Sequence, residues 1–273
     1  MKKIGIAIIG LVLLCLIVVS SFGFNTSETK TITLNGSTSM EKMVNAFKDG
    51  INDEYPNLSL EPQFTGSSAG IEAVIDGTSV IGNSSRSLKE SELSQGLVEN
   101  VVAIDAIAIV TDMHNSTDNL TKEQLIDIYT GKIRNWKEVG GPDLPIVVVG
   151  REAGSGTRSA FEELLGIEDQ CQYANEVNES GPIVAKMQSI PGAIGYVSLD
   201  VVDKNTKILS IDGIKATDKT IKDGTYLLQR PFVMVTKGEI EKQSKEVQDL
   251  FDFIYSESGR KIIEAVGLVA IEK

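Results

Sequence analysis

The chain has 273 residues, of which 41% are hydrophobic and 23% charged, and its formal net charge at pH 7 is −12. This composition is ordinary for a globular protein, and the acidic excess argues against nucleic acid as a partner. An anionic ligand would not be attracted by the overall field and would need local hydrogen-bond donors. With one histidine and two cysteines in the chain, a cysteine or histidine metal cluster is excluded. We therefore expect neither a metal nor a cofactor.

The N-terminal segment carries a targeting pattern. Lys2 and Lys3 precede an uncharged, mostly aliphatic run over residues 4–24, which is typical of a secretory signal. At about 20 residues the run is also long enough to remain as a spanning anchor. Residues 1–24 are thus expected to be either a cleaved signal peptide or a membrane anchor, followed by a linker at 25–30. In both cases the body of the protein is expected outside the cytoplasm, secreted or associated with the cell membrane.

The first part of the body alternates short strand patterns with helical ones. Apolar residues that recur every three or four positions indicate helices, and short β-branched runs indicate strands. Strands are predicted at 31–34, 58–64 and 80–81, with helices at 40–51 and 71–75.

A nearly continuous apolar run over 98–111, interrupted by Asp105, predicts a strand buried on both faces, and 227–235 has the same character. These two strands could each carry the chain between two lobes, although two central strands of one sheet would look the same. The first possibility gives one discontinuous lobe, at 31–110 and 228–273, and a second lobe at 111–227.

Several local motifs lie between and after the long strands. Thr121 and Gln124 form a predicted capping box at the start of a helix that Gly131 is expected to end in a left-handed conformation, and Gly166 is expected to stop a later helix. Pro182 is predicted at the first position of another helix. The C-terminal helix is expected to break near Gly259. Alternating strands and helices of this kind predict an α/β fold.

Four segments of small hydroxyl and glycine residues each follow a predicted strand and precede a helix. A helix N-terminus presents unpaired N–H groups and the positive end of the helix dipole, serine and threonine add hydroxyl donors, and glycine allows close approach. Any one such segment alone is an ordinary helix cap. Four segments in one chain, two of which have an arginine alongside, predict a site for a small oxyanion. The segments are 36–39, 66–70, 82–86 and 154–157, with Arg86 in the third and Arg151 shortly before the fourth.

The chain resembles a known family at specific motifs. Residues 36–39 (GSTS), 84–86 (SSR), 120–136 (LTKEQLIDIYTGKIRNW), 151–158 (REAGSGTR) and 191–197 (PGAIGYV) are similar to the phosphate-binding subunit of the phosphate ABC importer. The resemblance extends from about residue 31 to the C-terminus. It implies a two-lobed periplasmic-binding-protein fold of type II, with one inorganic phosphate in the interlobe cleft and ABC permease subunits as partners. It also implies a protein that is a monomer and not an enzyme.

The resemblance also implies which residues contact phosphate. Two loops of the first lobe carry the contact positions Ser37, Thr38, Ser39 and Ser67, and a third loop carries Ser84, Ser85 and Arg86. The opposite lobe contributes Arg151, Ser155, Gly156 and Thr157.

One departure concerns the third loop. In part of the family an aspartate there accepts a hydrogen bond from protonated phosphate and so helps to reject sulfate. Here that position is Ser85. Asp105 is our candidate for the missing acceptor, because a carboxylate in an apolar strand is costly without partners. The alternative is that Asp105 faces solvent at the strand edge, or pairs with Arg86 or Arg151 for structural reasons.

Three functional alternatives remain beside phosphate import. The altered third loop leaves room for another tetrahedral oxyanion, namely sulfate, molybdate or tungstate. A hydrolase that uses Ser155 as its nucleophile would need an activating base, and His114 is the one histidine of the chain. A phosphate sensor that signals without transport is the third alternative.

Overall fold

The computed structural model describes residues 29–271, so the predictions for the leader and for most of the linker lie outside the described residues. Within this range the chain forms the α/β structure that the sequence predicted. Strands β1–β11 are Lys30–Gly36, Leu58–Phe64, Ile81–Ser84, Leu97–Thr111, Asn119–Leu120, Val147–Arg151, Asn175–Val177, Ala193–Ser198, Lys207–Ile211, Gln229–Lys237 and Val269–Ala270.

Helices α1–α9 pack around these strands, and none of the helices at residues 29–271 is both long and apolar enough to cross a membrane. Their bounds are Glu41–Gly50, Ser67–Ile75, Glu90–Leu93, Lys122–Tyr129, Gly156–Leu165, Ser180–Ser189, Asp218–Lys222, Lys245–Tyr255 and Glu257–Ala265.

The long strand β4 belongs to both halves of the sheet. Its residues 97–106 pair antiparallel with β10, and residues 107–111 pair antiparallel with β8 and in part with β9. The main strand order is β2-β1-β3-β10-β4-β8-β6-β7, with β1 parallel to both β2 and β3, and β6 parallel to both β7 and β8. The two predicted crossing strands are therefore neighbours. β4 runs through both halves of the sheet, and the segment leading into β10 passes from the apolar core of the second half at Leu228 to that of the first half at Phe232.

Two large apolar cores lie on either side of this passage. One draws its residues from 32–103 and 232–268 and includes Phe47 and Phe253, whose rings meet edge to face. The other draws its residues from 106–228 and includes Trp136, which is fully buried. Burial of one such aromatic side chain stabilises the fold by about 1.5–3 kcal/mol. The lobe bounds predicted from the sequence agree with this division but stay a prediction.

The structure confirms some predicted helix ends and corrects another. Thr121 accepts a hydrogen bond from the Gln124 amide and Gln124 closes the box, while Gly166 ends α5 with φ of 68°. The prediction for Pro182 was wrong, because α6 begins two residues earlier at Ser180. The break in the C-terminal helix lies at Ser256, which ends α8 and caps α9.

Candidate functional site

The first three glycine-serine segments come together because they follow neighbouring strands of one half of the sheet. β1 lies between β2 and β3, so the segments after these strands lie side by side at their carboxyl ends. Ser37 follows β1, and its hydroxyl donates to Ser85 Oγ in the third segment at 2.9 Å. Ser67, the first residue of α2, lies 3.3 Å from the same Ser85 oxygen and accepts from the Ser85 amide at 3.1 Å.

The fourth segment meets the other three from the opposite half of the molecule. Ser39 Oγ lies 2.8 Å from Thr157 Oγ1, and the Ser68 amide donates to the Gly154 carbonyl at 3.1 Å. A Cβ atom added at Gly156 would lie 2.2 Å from Ser67 Oγ and 2.8 Å from Ser85 Oγ. The absence of a side chain at Gly156 therefore allows the two halves to approach this closely.

Arg151 lies at the end of β6. Among the described residues, it is the one arginine whose guanidinium donates hydrogen bonds to the clustered serine and threonine hydroxyls. Its side chain is 2% exposed, and its Nη2 donates to Thr38 Oγ1 at 3.1 Å. Glu152 pairs with its Nε at 3.1 Å and orients the guanidinium plane. The Arg151 peptide is held on both sides, because its N–H donates to the Tyr196 hydroxyl and its carbonyl accepts from Arg158. This arrangement fixes a positive charge against neutral hydroxyl groups.

Ser180 is a residue of this cluster that the sequence analysis missed. It is the first residue of α6 and 4% exposed, and its Oγ lies 3.3 Å from both Thr38 Oγ1 and Ser39 Oγ. Arg151 Nη1 donates to the same oxygen at 3.3 Å. A serine and a glycine are present at residues 180–181. They were not recognised as a helix start because the helix was predicted to begin at Pro182.

Ser155 and Gly156 form the start of α5. Ser155 is the helix cap, and its Oγ accepts from the Arg158 amide at 3.3 Å. The N-terminal ends of α2, α5 and α6, together with the short 3-10 turn before α1, thus meet at one place. Unpaired helix N–H groups and aligned dipoles favour negative charge there. The hydroxyl residues of the cluster are at most 6% exposed: Ser37, Thr38, Ser39, Ser67, Ser85, Ser155, Thr157 and Ser180.

Two residues predicted in the third segment have other partners. Ser84 Oγ donates to the Arg86 carbonyl at 2.8 Å and so stabilises the turn itself. The Arg86 fork donates to both carboxylate oxygens of Glu92 at 2.8 Å. Burial acts to raise the pKa of Glu92, but the hydrogen bonds from Arg86 and from the Lys89 amide, together with the charges of Arg86 and Lys89, outweigh it and lower that pKa. Contact of Ser84 and Arg86 with an anion stays a prediction, and the structure gives each a role in shaping the loop.

Asp105 also has partners, and its main partner was not anticipated. Arg230 on β10 donates from Nε and Nη2 to Asp105 Oδ2 at 2.9 and 2.8 Å, and both side chains are almost fully buried. Burial lowers the pKa of Arg230 and the charge of Asp105 opposes this effect. The remaining nitrogen of the fork, Nη1, donates to the Ser85 carbonyl at 3.1 Å. The pair therefore holds the third loop from behind, while direct contact of Asp105 with the anion stays a prediction.

The described residues offer little for metal binding or acid–base catalysis. Between residues 29 and 271 no group of three or more His, Cys, Asp or Glu side chains could hold a metal ion. His114 is exposed on a loop, with its ring nitrogen 3.9 Å from Asp112. The chemistry that the cluster can perform is the binding of a small anion by neutral donors and one arginine.

Comparison with known proteins agrees with this geometry. The family model for the PBP superfamily domain matches residues 25–258 of this chain. The phosphate-binding protein PstS of Borreliella burgdorferi is 30% identical over 260 residues, covering 91% of this chain and 92% of that protein. The PstS of Bacillus subtilis is 33% identical over 238 residues, covering 85% of this chain and 78% of that protein.

A solved structure agrees as well. It is that of a putative phosphate ABC transporter substrate-binding protein with bound phosphate from Clostridium perfringens, which is 38% identical and superposes with a TM-score of 0.83. The match covers 89% of this chain and 100% of that chain. The chain therefore belongs to the PBP superfamily and, within it, to the family of phosphate-binding proteins.

Proposed function

We propose that this protein captures one inorganic phosphate ion in the cleft between its two lobes and delivers it to the permease subunits of an ABC importer. The observation that carries the proposal is the convergence of buried hydroxyl groups, helix N-termini and Arg151 at one place. The relatives named above are phosphate-binding proteins, and one similar structure contains bound phosphate.

The geometry supports a proposed set of phosphate contacts. Ser37, Thr38, Ser39, Ser67 and Ser85 approach the anion from one lobe. From the other lobe come Arg151, Gly156, Thr157 and the added residue Ser180, with Ser155 at the start of α5. Hydroxyl and amide donors suit a dehydrated oxyanion, and the Arg151 fork supplies charge-assisted hydrogen bonds. This set explains how a chain with a net charge of −12 can hold an anion.

The separation between hydroxyl groups argues for a small ligand. Ser39 Oγ and Thr157 Oγ1, from opposite lobes, are 2.8 Å apart, and Gly156 faces Ser67 and Ser85 without space for even a methyl group. A phosphate ester with an organic substituent would keep such lobes apart. Free inorganic phosphate is therefore the proposed ligand.

Binding without turnover is the mechanism we propose. Ser155, the nucleophile of the hydrolase alternative, uses its Oγ to accept the Arg158 amide at a helix cap. Activation of a serine requires a base within hydrogen-bond reach. The chain's histidine is exposed in a loop, and its ring nitrogen contacts Asp112. Closure and opening of the lobes would then be the whole cycle, as is usual for such folds.

Two further parts of the proposal concern location and assembly. The N-terminal segment at 1–24 would export the protein and act either as a cleaved signal or as a membrane anchor, so that the monomeric binding body lies outside the cytoplasm. The lobes would comprise residues 31–110 with 228–273, and residues 111–227. The composition of the two apolar cores supports this division.

The test is calorimetric titration of the ligand-stripped protein with phosphate and then with sulfate near neutral pH. We expect one phosphate per chain and much weaker sulfate binding, with no hydrolysis of phosphate esters. A preference for sulfate, molybdate or tungstate would overturn the choice of anion. Ester turnover that is lost on Ser155→Ala would overturn the proposal that the protein is not an enzyme.

A further inference from the structure

The hydroxyl of Ser198 lies between two buried carboxyl groups. Ser198 Oγ is 2.7 Å from Asp105 Oδ1 and 2.6 Å from Asp200 Oδ1. A serine hydroxyl carries a single hydrogen, so it can donate to one of these oxygens only. Two carboxylates would leave the second contact as a repulsion between lone pairs. One of the two acids must therefore supply a proton.

The surroundings identify Asp200 as the protonated acid. Burial raises the pKa of Asp105 too, but Asp105 accepts two hydrogen bonds from Arg230, whose charge opposes this effect and is kept in proteins. Asp200 Oδ2, in contrast, is buried and has no hydrogen-bond partner among residues 29–271. Burial, followed by the charge of Asp105, raises the pKa of Asp200 to about 7. With the proton on Asp200, its carboxyl group can donate to Ser198 while Ser198 donates to Asp105, and both short contacts are then hydrogen bonds.

The charged groups around Asp200 come from several elements. Lys42 on α1 donates to the main-chain carbonyl of Asp200 at 3.1 Å; its charge acts to lower the pKa of Asp200, but it makes no hydrogen bond to Oδ2. The charge of Asp105 on β4 raises the pKa of the Asp200 carboxyl, whereas the charge of Arg230 on β10 lowers it. Three further acids, all exposed, line the same cavity as Asp200: Glu41, Asp49 and Glu179.

This chain of groups lies where the two lobes are joined. Asp105 is opposite Arg230 in the β4–β10 ladder, and Ser198 is opposite Ile107 in the β4–β8 ladder. Arg230 continues the chain to the Ser85 carbonyl in the proposed phosphate site. The cavity next to Asp200 is lined by Thr38 and Lys42 from one lobe and by Ser180 from the other. Opening of the cleft would expose Asp200 to water.

We propose that closure of the lobes on phosphate draws one proton from solvent onto Asp200, which then holds Ser198, Asp105 and Arg230 in register behind the third loop. Asp200 is thus a positioning residue whose protonation is linked to binding. The inference rests on the proposed capture of phosphate, because that event closes the cleft.

The first test compares proton uptake on phosphate binding in three proteins: the unaltered chain, Asp200→Asn and the control Asp203→Asn. Asp203 is an exposed aspartate three residues away on the same loop. Calorimetry at pH 7 in buffers of different ionisation enthalpy gives the proton count, and the titration of phosphate itself is common to all three. We expect the unaltered chain and the control to take up more protons than Asp200→Asn. Equal counts would overturn the inference.

The affinities give a second readout of the same proton. The amide introduced by Asp200→Asn offers a neutral donor to Ser198, so this variant should bind phosphate as the unaltered protein does at acidic pH. As pH rises from the ordinary aspartate pKa, near 3.8, to about 7, binding by the unaltered protein should weaken relative to the variant by up to about tenfold per pH unit, and the difference should level off above that. A variant that binds more weakly at every pH by the same factor would contradict proton linkage and indicate a purely structural role.

A third measurement follows urea unfolding at saturating phosphate, where the cleft is closed, and separates this inference from the proposed function. A carboxyl group with a raised folded-state pKa stabilises the fold below its unfolded pKa, near 3.8, and loses that contribution as pH rises through about 7. With phosphate bound, the urea midpoint of the unaltered protein should therefore fall across this range relative to Asp200→Asn. Parallel curves would overturn the inference, whereas midpoints that phosphate does not raise would refute the proposed function instead.

Discussion

Gly156 provides the most direct test of the proposed cleft, because its substitution by alanine acts between the lobes and not within either one. The added Cβ would lie 2.2 Å from Ser67 Oγ, whereas ordinary contact begins at 3.4 Å. Gly156 is the first residue of α5 and does not have a positive φ, so alanine fits its backbone. We expect Gly156→Ala to fold normally and to bind phosphate poorly.

The magnitude follows from the contacts between the lobes. Because the Ser85 amide donates to Ser67 Oγ and holds this hydroxyl in place, relief of the clash separates Gly156 and Ser67 by about 1.2 Å, and rotation of the hydroxyl would still leave Ser67 Cβ at 2.8 Å. That shift takes the 2.8 Å contact of Ser39 with Thr157 and the 3.1 Å hydrogen bond of Ser68 with Gly154 out of hydrogen-bond range. At about 1 kcal/mol for each, closure loses about 2 kcal/mol, or about 30-fold in affinity, before any lost contact with phosphate is included.

The assay is calorimetric titration with phosphate beside a thermal unfolding curve. The matched control is Gly181→Ala, in the first turn of α6, where an added Cβ meets nothing within 4 Å. The control should bind like the unaltered protein, and both variants should keep its unfolding midpoint or exceed it, because alanine in a helix is more stable than glycine. Full phosphate affinity in Gly156→Ala would refute the proposed closure at this residue.

Three further predictions concern single side chains. Arg151→Lys should weaken phosphate binding by about tenfold or more while the unfolding midpoint stays close to normal, because lysine lacks the forked donors of the guanidinium. The control is Arg134→Lys, which lies on the surface. If both variants bind phosphate with equal affinity, Arg151 does not belong to the site. Asp105→Asn should lower the free energy of unfolding in urea by about 3–5 kcal/mol, because it leaves the buried Arg230 charge unpaired; an unchanged midpoint would contradict this role. Burial raises the pKa of the Cys171 thiol to about 11, so alkylation of this thiol should be slow at pH 8 in the folded protein and faster in denaturant. Peptide mass spectrometry measures the extent of alkylation. Equal alkylation rates in the folded and the denatured protein would show that the thiolate is accessible in the fold.

Local patterns predicted much of the site because helix starts have a local chemistry. The Ser37, Ser67 and Ser155 segments were identified from serine and glycine next to strand ends, and each lies at a helix or 3-10 start in the cluster. Ser180 was missed for a related reason. Proline favours the first helical position in general, and here the helix extends two residues further towards the N-terminus.

Such local patterns could not predict ion pairs between residues that are distant in the sequence. Asp105 was recognised as costly in an apolar strand, but its partner Arg230 lies 125 residues away and is brought opposite by the register of β4 and β10. Arg86, six residues before Glu92, could have been paired from the sequence alone had the short helix α3 been predicted. Periodicity detects which face is buried, and it carries no information on which charge a buried group will meet.

The long strand β4 has a consequence for how the molecule unfolds. Because residues 97–106 complete the sheet of one half and residues 107–111 complete the sheet of the other, neither half has all its hydrogen-bonded neighbours without the same strand. Fraying of one half exposes strand edges and apolar surface that belong to both cores. The protein is therefore expected to lose its structure in one cooperative transition, with the amides at the centre of β4 among the last to exchange with solvent.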